Sequence, residues 1–131
     1  MMSTATTTGA MPELRQILNV SEAAMDHAMG FAYQLYVAGH HLQAVTLCQA
    51  LIACDRRYWW PHSLLAASLR RLERHDEALA AVNQGLVHEP RQPKLLLMRR
   101  ELLITIGRRD AAAEQLPVES FAPGLKLALG V

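Results

Sequence analysis

Six histidines, two cysteines and one adjacent pair of carboxylates are the residues of this 131-residue chain whose chemistry could do more than hold a fold. His40 and His41 stand side by side, yet neither has a histidine or carboxylate four residues on to complete a metal-binding helix face. His75 falls at a comparable place and reads, like His41, as a solvated turn residue, so no metal site is expected. Asp76-Glu77 could serve acid/base chemistry only inside a pocket; at a helix start the same pair complements the macrodipole, and Asp76 is expected to cap. Cys48 and Cys54, if helical, lie about 240° apart around the axis and roughly 9 Å along it, too far for a disulfide. They read as buried thiols of a reducing compartment. No nucleophile elbow, phosphate-binding glycine loop or CxxC pair occurs. The segment Arg56-Arg57-Tyr58-Trp59-Trp60 could stack on single-stranded nucleic acid, but no second basic segment extends it and aromatic residues suit a junction between packed helices. These residues point away from an enzyme, from any cofactor and from nucleic acid.

The elements that would position such residues are helices. The composition, 51% hydrophobic with seven glycines and six prolines, suits one folded domain, and 13 basic against 12 acidic side chains give a net charge of +1 with no global field for polyanions. No apolar run approaches the ~18 residues of a membrane span, and Met1 to Gly9 has neither a basic nor an apolar leader pattern. Residues 1–11 are expected to form a disordered tail on a cytoplasmic protein without membrane insertion.

Sliding the sequence by 34 residues superimposes Ala32 on Ala66, Leu35 on Leu69, His41 on His75, Ala44 on Ala78 and Arg57 on Arg91. A second slide places Leu103 on Leu69, Arg108 on Arg74, Asp110 on Asp76 and Ala112 on Ala78. A period of about 34 with a small residue in each of two helices is the tetratricopeptide signature. The expected fold is therefore all-α: a superhelix of three helix-turn-helix repeats, about 25–58, 59–92 and 93–116, within a domain over 21–116. Phe31, Ala32 and Leu35 give one face of a first helix, and Ala44, Leu47, Cys48, Leu51 and Ile52 recur helically in a second. Ala32 against Ala44, and Ala66 against Ala78, would let paired backbones approach closely. The third unit is expected to break at Gly107, restart at Asp110 and stop at Pro117, with Arg100 in the slot of Ala32 and Ala66. A short N-terminal helix is expected over 12–20, with Ser21 capping the next helix and a C-terminal tail over 117–131.

The concave side of such a superhelix is lined by the first helix of each hairpin. Taking Gly39, Glu73 and Gly107 as a common register, the inward faces run Met29, Tyr33 and Tyr36, then Trp60, Ser63, Ala67 and Arg70, then Leu97, Glu101 and Ile104. Rings beside a small floor residue describe a groove for an extended peptide, Ala67 leaving a dimple; the alternative is that the rings merely cover the core. An adaptor that clamps a carboxyl terminus would need several inward cations, for which Arg70 and Lys94 are the main candidates. Leu14, Ile17 and Leu18 form a separate stripe with no repeat partner, a candidate surface for self-association.

The residues also carry a resemblance. Cys48-Gln49-Ala50-Leu51 followed by Asp55, then Gly85, Glu89 and Gln92-Pro93-Lys94, with Tyr36, Gly39 and Ala44 before them, resemble the class II tetratricopeptide-repeat chaperones of bacterial type III secretion systems over about Ser21 to Leu116. That resemblance implies a cytoplasmic homodimer, a part in virulence, and a groove holding a short extended segment of a hydrophobic translocator before secretion. It puts Tyr33, Tyr36, Ala67 and Leu97 on groove-lining positions and Leu14, Ile17 and Leu18 in a dimerisation segment, while Arg99-Arg100 stands where the family has a small pair. A chaperone of needle or filament subunits, or a general adaptor joining two folded proteins, are the other readings. Pro123, Leu125 and the leucines that follow resemble the segment such clients insert.

Overall fold

The computed structural model describes residues 13–119, with side chains to residue 113. The tail expected over 1–11 and residues 120–131 of the tail expected over 117–131 lie outside the described residues; residues 117–119 instead continue the last helix. Among the described residues six helices follow one another: α1 Leu14–Ile17, α2 Glu22–Val37, α3 His41–Cys54, α4 Trp59–Arg71, α5 His75–His88 and α6 Pro93–Glu119. Helices α2 and α3 form one hairpin, α4 and α5 a second, and α6 packs on α5, so α2 to α6 each touch mainly their chain neighbours, while α1 packs on α3.

Local signals start and stop these helices. Ser21 caps α2, its Oγ accepting the Ala24 N–H at 3.0 Å. At the end of α2, Gly39 takes φ 89°, the Gly39 N–H donates to the Tyr36 carbonyl and the His40 N–H to the Leu35 carbonyl. That pair of bonds is the Schellman closure, which satisfies two orphan carbonyls and reverses the chain. Glu73 repeats it one unit later at φ 63°, with N–H bonds from Glu73 to Arg70 and from Arg74 to Leu69. Asn19 does the same after α1 at φ 58°, bonding back to Gln16, and Val20 to Arg15. The N-terminal helix is thus a single turn, shorter than the 12–20 expected. Arg15 pairs with Asp55 at 2.9 Å and Glu13 with Arg56 at 3.1 Å, which ties α1 to the junction between α3 and α4.

Ala32, Ala44, Ala66 and Ala78 are all fully buried, as close backbone approach within each hairpin requires. Around them lie Met25, Met29, Cys48, Leu65, Leu69, Val82, Leu95 and Leu102. Phe31, expected on the core face, is instead exposed: Met25, Met29 and Ala32 occupy the buried stripe of α2, and Phe31 is turned about 100° from Ala32. Helices α4, α5 and α6 meet closely at Gly85, where a Cβ would stand 2.9 Å from both the His62 Cβ and the Leu95 Cδ1.

Two local expectations are corrected. The break at Gly107, the restart at Asp110 and the stop at Pro117 do not occur, and α6 runs through all three positions as one 27-residue helix. Glycine inside a helix costs only about 1 kcal/mol relative to alanine, and Arg100, exposed where the other hairpins bury an alanine, denies a returning helix its closest contact. Asp76 does not cap α5: Arg74 occupies the cap position without a side-chain capping bond, its guanidinium donating instead to Glu77, and Asp76 accepts from the Arg109 guanidinium of α6 at 3.2 Å.

Candidate functional site

Alternate helices α2, α4 and α6 lie side by side along one surface, and a cleft of about 290 Å³ opens between them. Helix α2 contributes Tyr33 and Tyr36 to its lining. Helix α4 contributes Trp60, Ser63, Leu64, Ala67 and Arg70, and α6 contributes Lys94, Leu97, Met98 and Glu101. Both of the latter sets recur at i, i+3, i+4 and i+7, which is the spacing of one helix face. The rings of Tyr33 and Tyr36 are 6.4 Å apart, and Tyr36 packs its other side against His41 at 5.3 Å. Those contacts fix the tyrosines as one wall.

Of the residues that sequence spacing assigns to the groove, Tyr33, Tyr36, Trp60, Ser63, Ala67, Arg70, Leu97 and Glu101 come together here. Met29 does not: it is 0% exposed and belongs to the packing stripe shared with Met25 and Ala32. Stepping back one turn from Tyr33 therefore lands in the core. Ile104 is half exposed one turn beyond Glu101 and takes no part in the lining. Leu64 and Met98 were not foreseen, although each stands four residues beyond a named inward residue, Trp60 and Lys94, on the same helix face. Leu14, Ile17 and Leu18 are exposed on α1 and its cap, forming an apolar surface apart from the cleft lining.

The electrostatics divide the cleft. The Arg70 guanidinium donates to the Glu101 carboxylate at 3.0 Å, bridging α4 to α6 and cancelling both charges. Arg71 donates to the Tyr36 hydroxyl at 3.3 Å with its guanidinium 5.8 Å from the ring centroid, which raises its affinity for the proton. The Lys94 ammonium has no carboxylate within 4 Å among the described residues; only its backbone N–H is engaged, by Gln92 at 3.3 Å.

The remaining reactive groups serve packing. Burial pushes the Cys48 thiol up to about 12, leaving it a neutral hydrophobe. Burial likewise makes His62 harder to protonate, and its Nε2 lies 2.9 Å from the Arg56 carbonyl. Tyr58 donates to the Asp26 carboxylate of α2 and Trp59 packs against the core, so within the basic-aromatic segment those two rings serve packing, while Trp60 lines the cleft. His41 and His75 are half-buried rather than solvated. Among the described residues no three histidines, cysteines or carboxylates converge on a metal position, and no helix is long and apolar enough to cross a membrane.

No protein-family model matches this sequence, and no curated protein matches it. Solved structures do share its fold. The type III secretion translocator chaperone SycD of Yersinia enterocolitica superimposes with a TM-score of 0.70 at 19% identity, over 75% of this chain and 73% of that one. A T3SS complex from Aeromonas hydrophila has a chain that superimposes with a TM-score of 0.72 at 20% identity, over 86% and 74%. A chain of the CopN-Scc3 complex gives 0.70 at 18% identity, over 92% and 72%. Likeness at this level of identity establishes the fold: an all-α, tetratricopeptide-type superhelix with a short N-terminal helix.

Proposed function

We propose that this chain is a cytoplasmic chaperone of type III secretion, holding an extended apolar segment of a secreted translocator in its cleft so that the client neither aggregates nor assembles early. One observation carries the proposal: rings and aliphatic groups from three alternate helices line a single cleft beside a small floor residue, Ala67. Such a lining grips alternate side chains of an extended peptide, the rings supplying area and the dimple depth. The shared fold with SycD supports the same reading. The adaptor reading is less well served, because a carboxyl-terminal clamp needs converging free cations and Arg70 is already neutralised by Glu101. Needle or filament subunits remain the alternative client class.

Ala67→Glu tests the cleft. A carboxylate there fills the dimple and displaces a client side chain whose burial is worth about 1.5–3 kcal/mol, or roughly ten- to a hundredfold in affinity. The variant is expected to melt like wild type and to lose a secreted protein encoded beside it in a pull-down. Ala66→Glu, one residue away but fully buried, is expected to unfold the chain. Retention of the client by a well-folded Ala67→Glu protein would sink the proposal. The proposed homodimer engages the exposed Leu14, Ile17 and Leu18, so a chain starting at Ser21 should scatter light as a monomer; an unchanged mass removes α1 from the interface.

A further inference from the structure

Resting on the cleft reading above, we infer that the segment held there is not purely apolar but carries one acidic side chain that pairs with Lys94. Three ionisable side chains that are charged at neutral pH line the cleft: Arg70, Lys94 and Glu101. Arg70 and Glu101 face each other at 3.0 Å and satisfy one another across the α4–α6 seam. Lys94 is left over, a cation without a carboxylate partner among the described residues, one turn before Leu97 on the same face. Arg71, beside the same wall on Tyr36, likewise has no carboxylate within 4 Å among the described residues. The cleft is thus cationic on a chain whose net charge is only +1.

An occupant changes what that charge costs. In the empty cleft the Lys94 side chain is exposed and water solvates it. A peptide laid across Tyr33, Trp60 and Leu97 removes part of that water and lowers the local dielectric, so an unpaired ammonium is penalised and a carboxylate opposite it is rewarded. One free lining cation matches one carboxylate. It does not match a chain terminus, which is clamped by several. Lysine is suited to the task because its flexible stem lets the ammonium follow a carboxylate whose position varies with peptide register.

The probes are fluorescein-labelled, acetylated and amidated ten-residue peptides of leucine, serine and proline, with a single glutamate walked along the sequence. Matched glutamine peptides, and one glutamine peptide with a free carboxyl terminus, complete the set. Anisotropy should show one glutamate position binding about three- to tenfold tighter than its glutamine twin, a gap that narrows at 0.5 M salt and disappears in Lys94→Met. Equal binding of every glutamate peptide and its glutamine twin, with Ala67→Glu still abolishing both, overturns this inference and leaves the cleft reading standing. Preference for the free carboxyl terminus overturns it in favour of a terminal clamp. Binding of no peptide at all overturns the cleft reading and this inference together.

Discussion

Helices α2 to α5 and helix α6 carry the same 34-residue pattern, yet the first four close into hairpins while the last runs straight through its turn position. Gly39, Glu73 and Gly107 are equivalent in that register. Gly39 and Glu73 take positive φ and close Schellman motifs, although glutamate has no intrinsic liking for the conformation. Gly107, the residue best able to turn, stays helical. What separates the two regions is the packing that rewards a reversal: Ala32 and Ala44 in the first hairpin, and Ala66 and Ala78 in the second, are fully buried, whereas Arg100 stands exposed in the third equivalent slot. A turn residue permits a reversal, and a close-packed partner face makes it favourable.

The seam where the two regions meet offers the largest expected effect. Gly85 on α5 lies against His62 of α4 and Leu95 of α6, and a methyl group there would come within 2.9 Å of each. Gly85→Ala improves helix propensity by less than 1 kcal/mol but is expected to cost about 1–3 kcal/mol net, because the His62 Cβ cannot retreat without moving backbone. A thermal midpoint several degrees lower checks it; an unchanged or higher midpoint would mean that α6 is free to shift away from the hairpins.

The two glycines of the register sharpen the contrast through opposite signs. Gly39→Ala, at φ 89°, should destabilise by about 1–2 kcal/mol, because a Cβ is strained in that conformation. Gly107→Ala should stabilise by about 0.5–1 kcal/mol, because alanine favours the uninterrupted helix and, among the described residues, nothing lies within 4 Å of the added methyl. Urea titrations of both variants measure the difference. Destabilisation by Gly107→Ala would place a turn there and erase the contrast between the regions.

The smallest expected effect is a pH dependence at the same seam. His62 is buried, and burial lowers its folded pKa below the ordinary 6.5. The unfolded chain then binds the proton first as pH falls, so the native state should be fully stable above pH 6.5 and lose stability progressively below it, until the lowered native value is reached. His62→Gln should flatten this part of the stability profile in denaturant titrations between pH 7.5 and 5. An identical slope in the variant would assign the proton uptake elsewhere.

Much of the fold was legible because its signals are local. The apolar period, Ser21 as a cap, Gly39 as a stop and the alanine pairs each act within a few residues or recur at a fixed spacing, and the helices follow them. The inward faces were legible for the same reason, since Trp60, Ser63 and Ala67 share one side of a helix by geometry alone. Met29 failed the same test because a helix has one core stripe, and only the packing of α2 on α3 shows where that stripe runs. Asp76 failed it because a carboxylate at a helix start has two outlets, the cap and a cation from elsewhere, and Arg109 arrives from α6.

By itself, then, the sequence determined that this protein is a series of amphipathic helices with a short-range repeat, because propensity, capping and period are properties of neighbours along the chain. Only the tertiary structure decided that α6 stays continuous through Gly107, that Arg70 is spent on Glu101 and that Lys94 is left without a carboxylate partner among the described residues. The local terms behind them, a glycine within a helix or an exposed ion pair, are each worth about 1 kcal/mol or less, so groups 31 or more residues apart that meet only once the helices are stacked tip the balance.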